Sequence, residues 1–304
     1  MQASDKKRKM KRWFEIGAFL IVLVAMLLIM SYIMDPVRLK RPDVVNERDT
    51  YIVSALVEEE NTIDVAVLGD SEAMVLLSPE IMYEREGISS YIVGQSGQRM
   101  CEAYYALKAL TERQELKVVL LETDMMFPAT VELGERLYTF SSAITRTFSI
   151  FEYHVAWKEM MNLKEAPAMT HVRGFDKREA VAPYTGGEYM NPTDEKAKLL
   201  SFPRFYFKMI CDLCKKKDIR LVLVSAPSPR NYNYPRHNTL TEMAEKNGLD
   251  FIDFNMMTEE VGIDWQTDSL DEGDHINYSG TKKITQYLMR YLKENCDLPD
   301  RRSE

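Results

Sequence analysis

The chain has 304 residues, 45% of them hydrophobic, enough for one sizeable core and too few to require two large domains. Its net charge of −8 is unevenly spread: six basic residues, Lys6, Lys7, Arg8, Lys9, Lys11 and Arg12, face only Asp5 at the start, so the first twelve residues carry +5 and the remainder −13. So acidic a remainder argues against nucleic-acid partners, and four scattered cysteines do not make a disulfide framework.

Residues 16–34 read IGAFLIVLVAMLLIMSYIM, nineteen residues without a charge. At about 1.5 Å per residue they cross a hydrocarbon layer of about 30 Å, so the sequence predicts a transmembrane helix over residues 14–34 behind a basic tail, 1–13. The positive-inside rule places that tail in the cytoplasm and everything after Asp35 outside the cell membrane. The run is long for a cleaved secretory signal, and no small-x-small cleavage site follows it. Pro36 follows as a natural stop of that helix, and residues 35–61 then read as a stalk or packed lead-in helix, with a helix around residues 47–60.

Five short apolar runs follow at residues 63–68, 91–93, 118–121, 221–224 and 251–254, several rich in β-branched residues. Between them fall helical patterns at 99–112, 203–217 and 240–247, and Ile284, Tyr287, Leu288, Tyr291 and Leu292 mark a closing amphipathic helix. Alternating strands and helices predict a mainly parallel sheet covered on both faces, a three-layer α/β/α domain over 62–304. Residues 128–200 interrupt the alternation and read as an insertion over the active face or as a helical elaboration of the core. Cys211 and Cys214 lie one helical turn apart in the 203–217 pattern and read as packing residues. No second CxxC or histidine pair completes a metal cage, so no metal site is expected.

The first strand ends in Gly69-Asp70-Ser71-Glu72, which puts a serine at the carboxyl end of a parallel strand where a helix begins. There it can be a nucleophile or simply a helix cap. A serine nucleophile needs a base, and of the four histidines only His275 sits among acids, in Asp271-Glu272-Gly273-Asp274-His275, just before the closing helix. His154 and His171 fall in the insertion, and His237 follows the fourth strand. By itself the acidic turn could be a solvated loop or a partial cation site; paired with the early serine it reads as a base with its orienting acid. Asn277 and Ser279 read as turn and cap residues.

In these two blocks, GDSE at 69–72 and DEGDHINYSG at 271–280, the chain resembles the SGNH hydrolase superfamily, over roughly residues 62–295. It looks most like membrane-anchored bacterial members that work on cell-envelope polymers. The resemblance implies a flavodoxin-like five-stranded parallel sheet, Ser71 as nucleophile and His275 as base. It also implies an oxyanion hole made by the N–H groups of Ser71 and Gly97, the latter in Val93-Gly94-Gln95-Ser96-Gly97, with Asp70 and Asn277 as supporting residues. Two positions depart from the family. Its third-block Asn is missing from Leu121-Glu122-Thr123-Asp124, where Thr123 is the candidate replacement. Its acid three residues before the histidine is Glu272 here, flanked by Asp271 and Asp274. Asp271 can curl back across the turn to the imidazole, whereas an adjacent carboxylate reaches its neighbour's ring with difficulty, so Asp271 is the first choice of orienting acid and Asp274 the second.

By this resemblance the expected activity is serine-dependent ester hydrolysis, or transfer of a small acyl group, on an extracytoplasmic polysaccharide, without a cofactor. A multi-spanning membrane acyltransferase is the expected partner. The alternative from another class is a non-catalytic glycan-binding or assembly subunit of an acylation machinery.

Overall fold

The computed structural model describes residues 2–153 and 171–303. Helix α1 (Gln2–Ile33) takes in both the basic tail and the apolar run. It is long and apolar enough to cross a membrane, and its apolar side chains lie exposed rather than against the rest of the chain. Pro36 does more than stop it. With its missing N–H and fixed φ it opens the short α2 (Pro36–Leu39), whose cap is the Asp35 carboxylate accepting from the Val37 N–H. Helix α3 (Glu47–Val57), capped by Asn46, is packed rather than a free stalk, and buries Tyr51, Ile52, Val53 and Ala55.

The domain is built on β1 (Val65–Gly69), β2 (Ser90–Gly94), β3 (Val118–Glu122), β4 (Arg220–Ser225) and β5 (Asp250–Asp253). All pairs are parallel and the order is β2-β1-β3-β4-β5, the doubly wound order of flavodoxin-like folds. The first three strands are buried at every position, as required of a sheet covered on both faces.

On one face lie α3, α6 (Met100–Leu110), α9 (Ser201–Lys217) and α10 (Tyr234–Asn247); on the other lie α4 (Ser71–Leu76), α5 (Pro79–Glu86), the short α11 (Thr258–Val261) and α12 (Tyr278–Asn295). Helix α6 shows why the layers hold: Met100, Ala103, Leu107 and Leu110 recur at helical spacing and are all fully buried. Truncating Leu107 to alanine there would cost about 2–5 kcal/mol.

The interrupted region resolves into two different parts. Its first half forms α7 (Glu132–Thr147) and the short α8 (Ile150–Tyr153), with α7 laid along α6 and α9 as a helical elaboration. Its second half, from His171, is an extended run that braces the His275 turn: Ala182 N–H donates to Ser269, Glu272 N–H to Ala182, and Tyr184 N–H to Trp265. The part of the predicted insertion at 154–170, His154 included, lies outside the described residues.

Candidate active site

Ser71 stands at the first position of α4, directly after β1. The sharp strand-to-helix turn needs Gly69, since a Cβ there would lie 2.5 Å from Ala73 Cβ and 2.7 Å from Glu122 Cβ. Asp70 caps the helix by accepting from the Glu72 N–H at 3.1 Å, which leaves the Ser71 hydroxyl free for another partner. That partner is His275, whose Nε2 is 2.8 Å from Ser71 Oγ across the carboxyl edge of the sheet.

The turn before His275 places an acid on its other nitrogen. Glu272 and Gly273 have φ of 63° and 89°, two successive left-handed residues that fold the chain back on itself. Asp271 thereby accepts the His275 backbone N–H through Oδ1 at 2.6 Å and meets Nδ1 through Oδ2 at 2.7 Å. Asp274 Oδ2 is 3.9 Å from the same nitrogen, and Asp274 is instead held by Asn231 Nδ2. Of the two candidate acids the structure therefore joins Asp271 to the imidazole, by the curl across the turn. A carboxylate is an acceptor only, so Nδ1 carries the proton and Nε2 is left to accept from Ser71.

Gly97 lies in the loop after β2 with φ 63° and open space around it. The loop is held by a residue the sequence did not single out. Arg48, on the lead-in helix α3, donates from Nε to the Ser96 carbonyl at 3.1 Å and grips both Glu102 oxygens at 3.0 and 3.1 Å. Glu102 also accepts the Arg99 N–H at 2.9 Å. With its amide turned to satisfy both groups, buried Gln95 accepts from both Arg48 terminal nitrogens and donates to the Arg48 carbonyl. One guanidinium thus ties down the start, middle and end of the Gly97 loop.

Thr123 does not take the place of the missing asparagine. Tyr232 donates to Asp253 at 2.7 Å, Ser225 to Tyr232, and Thr123 accordingly to Ser225 at 2.6 Å. Its N–H is spent on the Val224 carbonyl, so both its donors point into the sheet. Asn277 is the cap of α12, accepting from Ser279 and Gly280 N–H and tying Ala180 to Thr267 with its amide. It is a structural support and not a reactant. The other two described histidines are placed elsewhere: His237 pairs with Asp253 at 2.7 Å, and buried His171 stacks on Tyr51.

Beneath Ser71 lies a group of carboxyls that sequence reading barely touched. Burial first, then the charge of Asp124, pushes Asp70 up to about 8. Burial likewise holds Glu72 and Glu122 well above the ordinary carboxylate range, with their acidic neighbours adding to it. Arg236 balances the group from α10, 2.6 Å from Asp124. Keeping these acids neutral removes negative charge that would oppose an oxyanion at the start of α4. Glu72, Asp274 and His275 bring possible metal-ligating atoms within 4.8 Å of one another, but both His275 nitrogens are already engaged by Ser71 and Asp271. The two buried cysteines offer no competing nucleophile: burial raises the Cys101 thiol to about 11 and Cys214 to about 12.

Three aromatic rings, Tyr184, Tyr189 and Trp265, meet edge to face beside this turn, with centroids 6.1–6.4 Å apart. Tyr184 packs so closely under Gly273 that a Cβ there would lie 2.7 Å from its ring.

No family model and no curated relative matches the sequence. Among solved structures the chain is similar to the psychrotrophic esterase EstA from Pseudoalteromonas sp., at 15% identity over 76% of this chain and 97% of that one, with a TM-score of 0.41. It is also similar to TesA, at 13% identity over 76% and 98% of the two chains and a TM-score of 0.40. An acetyl xylan esterase covers the same 76% at 12% identity, over its whole length, again with a TM-score of 0.40.

Proposed function

We propose that this protein is a membrane-anchored serine esterase or O-acyltransferase acting on small acyl esters of an extracytoplasmic envelope glycan. The observation that carries the reading is the unbroken series from Asp271 through His275 to Ser71, with contacts of 2.7 and 2.8 Å, ending on a serine at a helix N-terminus. Ser71 Oγ attacks the ester carbonyl carbon while His275 Nε2 takes its proton. The tetrahedral oxyanion is held by backbone N–H groups of Ser71 and the Gly97 loop. The C–O bond to the alcohol then breaks, His275 returns the proton to the departing oxygen, and the acyl group remains on Ser71. Water or a sugar hydroxyl reverses these steps to give free acid or a new ester.

A glycan as alcohol is the favoured reading because Tyr184, Tyr189 and Trp265, all partly exposed, cluster next to the His275 turn. The anchor reading rests on the apolar run of α1 and the basic residues before it, and a multi-spanning acyltransferase is the natural source of acyl groups for transfer. Mass spectrometry of the full chain after exposure to an activated acyl ester should show one acyl adduct on Ser71, absent in Ser71→Ala. Soluble glycan should speed its loss, giving acylated glycan if transfer dominates and free acid if hydrolysis does. Folded protein that forms no adduct sinks the proposal.

A further inference from the structure

Helix α7 is amphipathic in the wrong sense for a soluble domain. Its inward side carries Glu135 and Thr139, 1% and 6% exposed, while Leu133, Leu137, Phe140 and Ile144 point outward. These four recur at helical spacing, and the first three are 60–66% exposed. A helix packed on a water-soluble domain turns such a stripe to the core, and an outward stripe marks a contact surface. On the inward side Glu135 pairs with Arg99 at 3.3 Å, and Arg99 also lies over the Tyr138 ring.

What covers the stripe follows from where α7 ends. Two residues beyond it, Ser149 Oγ donates to the Ser31 carbonyl, and the Ile150 N–H donates to Ser31 Oγ at 3.1 Å. Ser31 lies in the last turn of α1, three residues before the end of the apolar run, or about 4.5 Å along the helix axis. The chain leaving α7 therefore touches α1 at the level where hydrocarbon gives way to headgroups. Apart from Glu132 and Arg136, the outward side of α7 is uncharged, which suits the acyl boundary of a bilayer.

We infer that α7 is an in-plane membrane helix, a second lipid contact that sinks its Leu133–Ile144 stripe into the outer leaflet beside α1. The inference rests on α1 spanning the bilayer. Because Arg99 links α7 to the end of the Gly97 loop, the same contact holds the Ser71 face close to the membrane surface, where a lipid-linked acyl donor would be met.

The test uses the full chain in nanodiscs of phosphatidylcholine and phosphatidylglycerol, with Cys211→Ser and Cys296→Ser to clear the background. Spin labels go on Leu137→Cys and Phe140→Cys, with Val22→Cys in α1 and Arg290→Cys on the opposite face of the domain as references. The expected result is that labels at 137 and 140 are relaxed by oxygen more than by a water-soluble nickel chelate, as at position 22 and unlike position 290. Access to the chelate equal to that at 290, with 22 protected, overturns the inference. Protection from both agents also overturns it, since protein and not lipid then covers the stripe. A water-accessible label at 22 removes the spanning reading itself, and the inference with it.

Discussion

Asp271→Asn probes the hydrogen-bonded series more sharply than deletion of the acid. In the native turn Oδ1 accepts the His275 N–H at 2.6 Å and Oδ2 meets Nδ1 at 2.7 Å. In Asp271→Ala the imidazolium formed during acyl transfer loses one charge-assisted hydrogen bond, a loss of about 1.5–3 kcal/mol. The Asp271 side chain is 41% exposed, so water screens the interaction and the lower half of that range applies, about a 13- to 45-fold drop in kcat. Asp274, 3.9 Å from Nδ1, supplies part of the remaining charge. Asparagine behaves differently. Its carbonyl takes over the backbone N–H, which turns its NH2 toward Nδ1 and forces that nitrogen to accept. The ring proton then sits on Nε2, the atom that must take the Ser71 proton, so Asp271→Asn should lose roughly a thousandfold, approaching the cost of a wrong tautomer in a buried triad. Rates of acyl-enzyme formation with a small activated ester give both numbers on protein of unchanged melting temperature. A larger loss in Asp274→Asn than in Asp271→Asn would refute the assignment of the orienting acid, and equal losses in Asp271→Ala and Asp271→Asn would refute the tautomer argument.

The other predictions concern residues around the series. Arg48→Ala should lower kcat for a small ester by about 10- to 100-fold with little change in KM, because it frees the Gly97 loop and not a substrate contact; Arg48→Lys should recover part of it, and a change confined to KM would argue against a positioning role. Asp70→Asn keeps the α4 cap while fixing the neutral state. Since Asp70 is pushed up to about 8, the folded chain holds a proton that the unfolded chain releases above about pH 4. Native stability is therefore greatest below that pH and falls as the pH rises toward 8, at up to about 1.4 kcal/mol per pH unit for this one proton. Melting temperatures of Asp70→Asn should fall less steeply between pH 5 and pH 8 (about the window set by these values), and parallel curves would rule out the raised acid. Trp265→Ala should raise KM for an acylated glycan and leave turnover of a small ester within about twofold, by the division between binding and chemistry; equal loss on both substrates would remove the sugar-binding role.

The fold was legible because the strands are short and centred on apolar runs, and helices such as α6 and α12 repeat their apolar residues at 3.6-residue spacing, as Leu107 and Leu110 or Ile284 and Leu288 do. Ser71 and His275 were legible for a local reason, since each sits at the junction of a turn and a helix, and the reach of Asp271 across two residues followed from chain geometry alone. Arg48 was not, because its partners Ser96 and Glu102 lie 48 and 54 residues away, and an arginine on a charged lead-in helix looks the same whether it faces water or a loop. Nor was the direction of the Thr123 hydroxyl, which depends on Ser225, Tyr232 and Asp253 from two other strands and a loop. Helix α7 marks the deeper boundary. Leu133, Leu137, Phe140 and Ile144 have the spacing of a core-facing stripe, and periodicity gives the side of a helix that avoids water without giving the medium that replaces it. Only the placement of Glu135 and Thr139 inside, and of Ser149 and Ile150 against Ser31, shows that the apolar side faces away from the domain beside the last turn of α1.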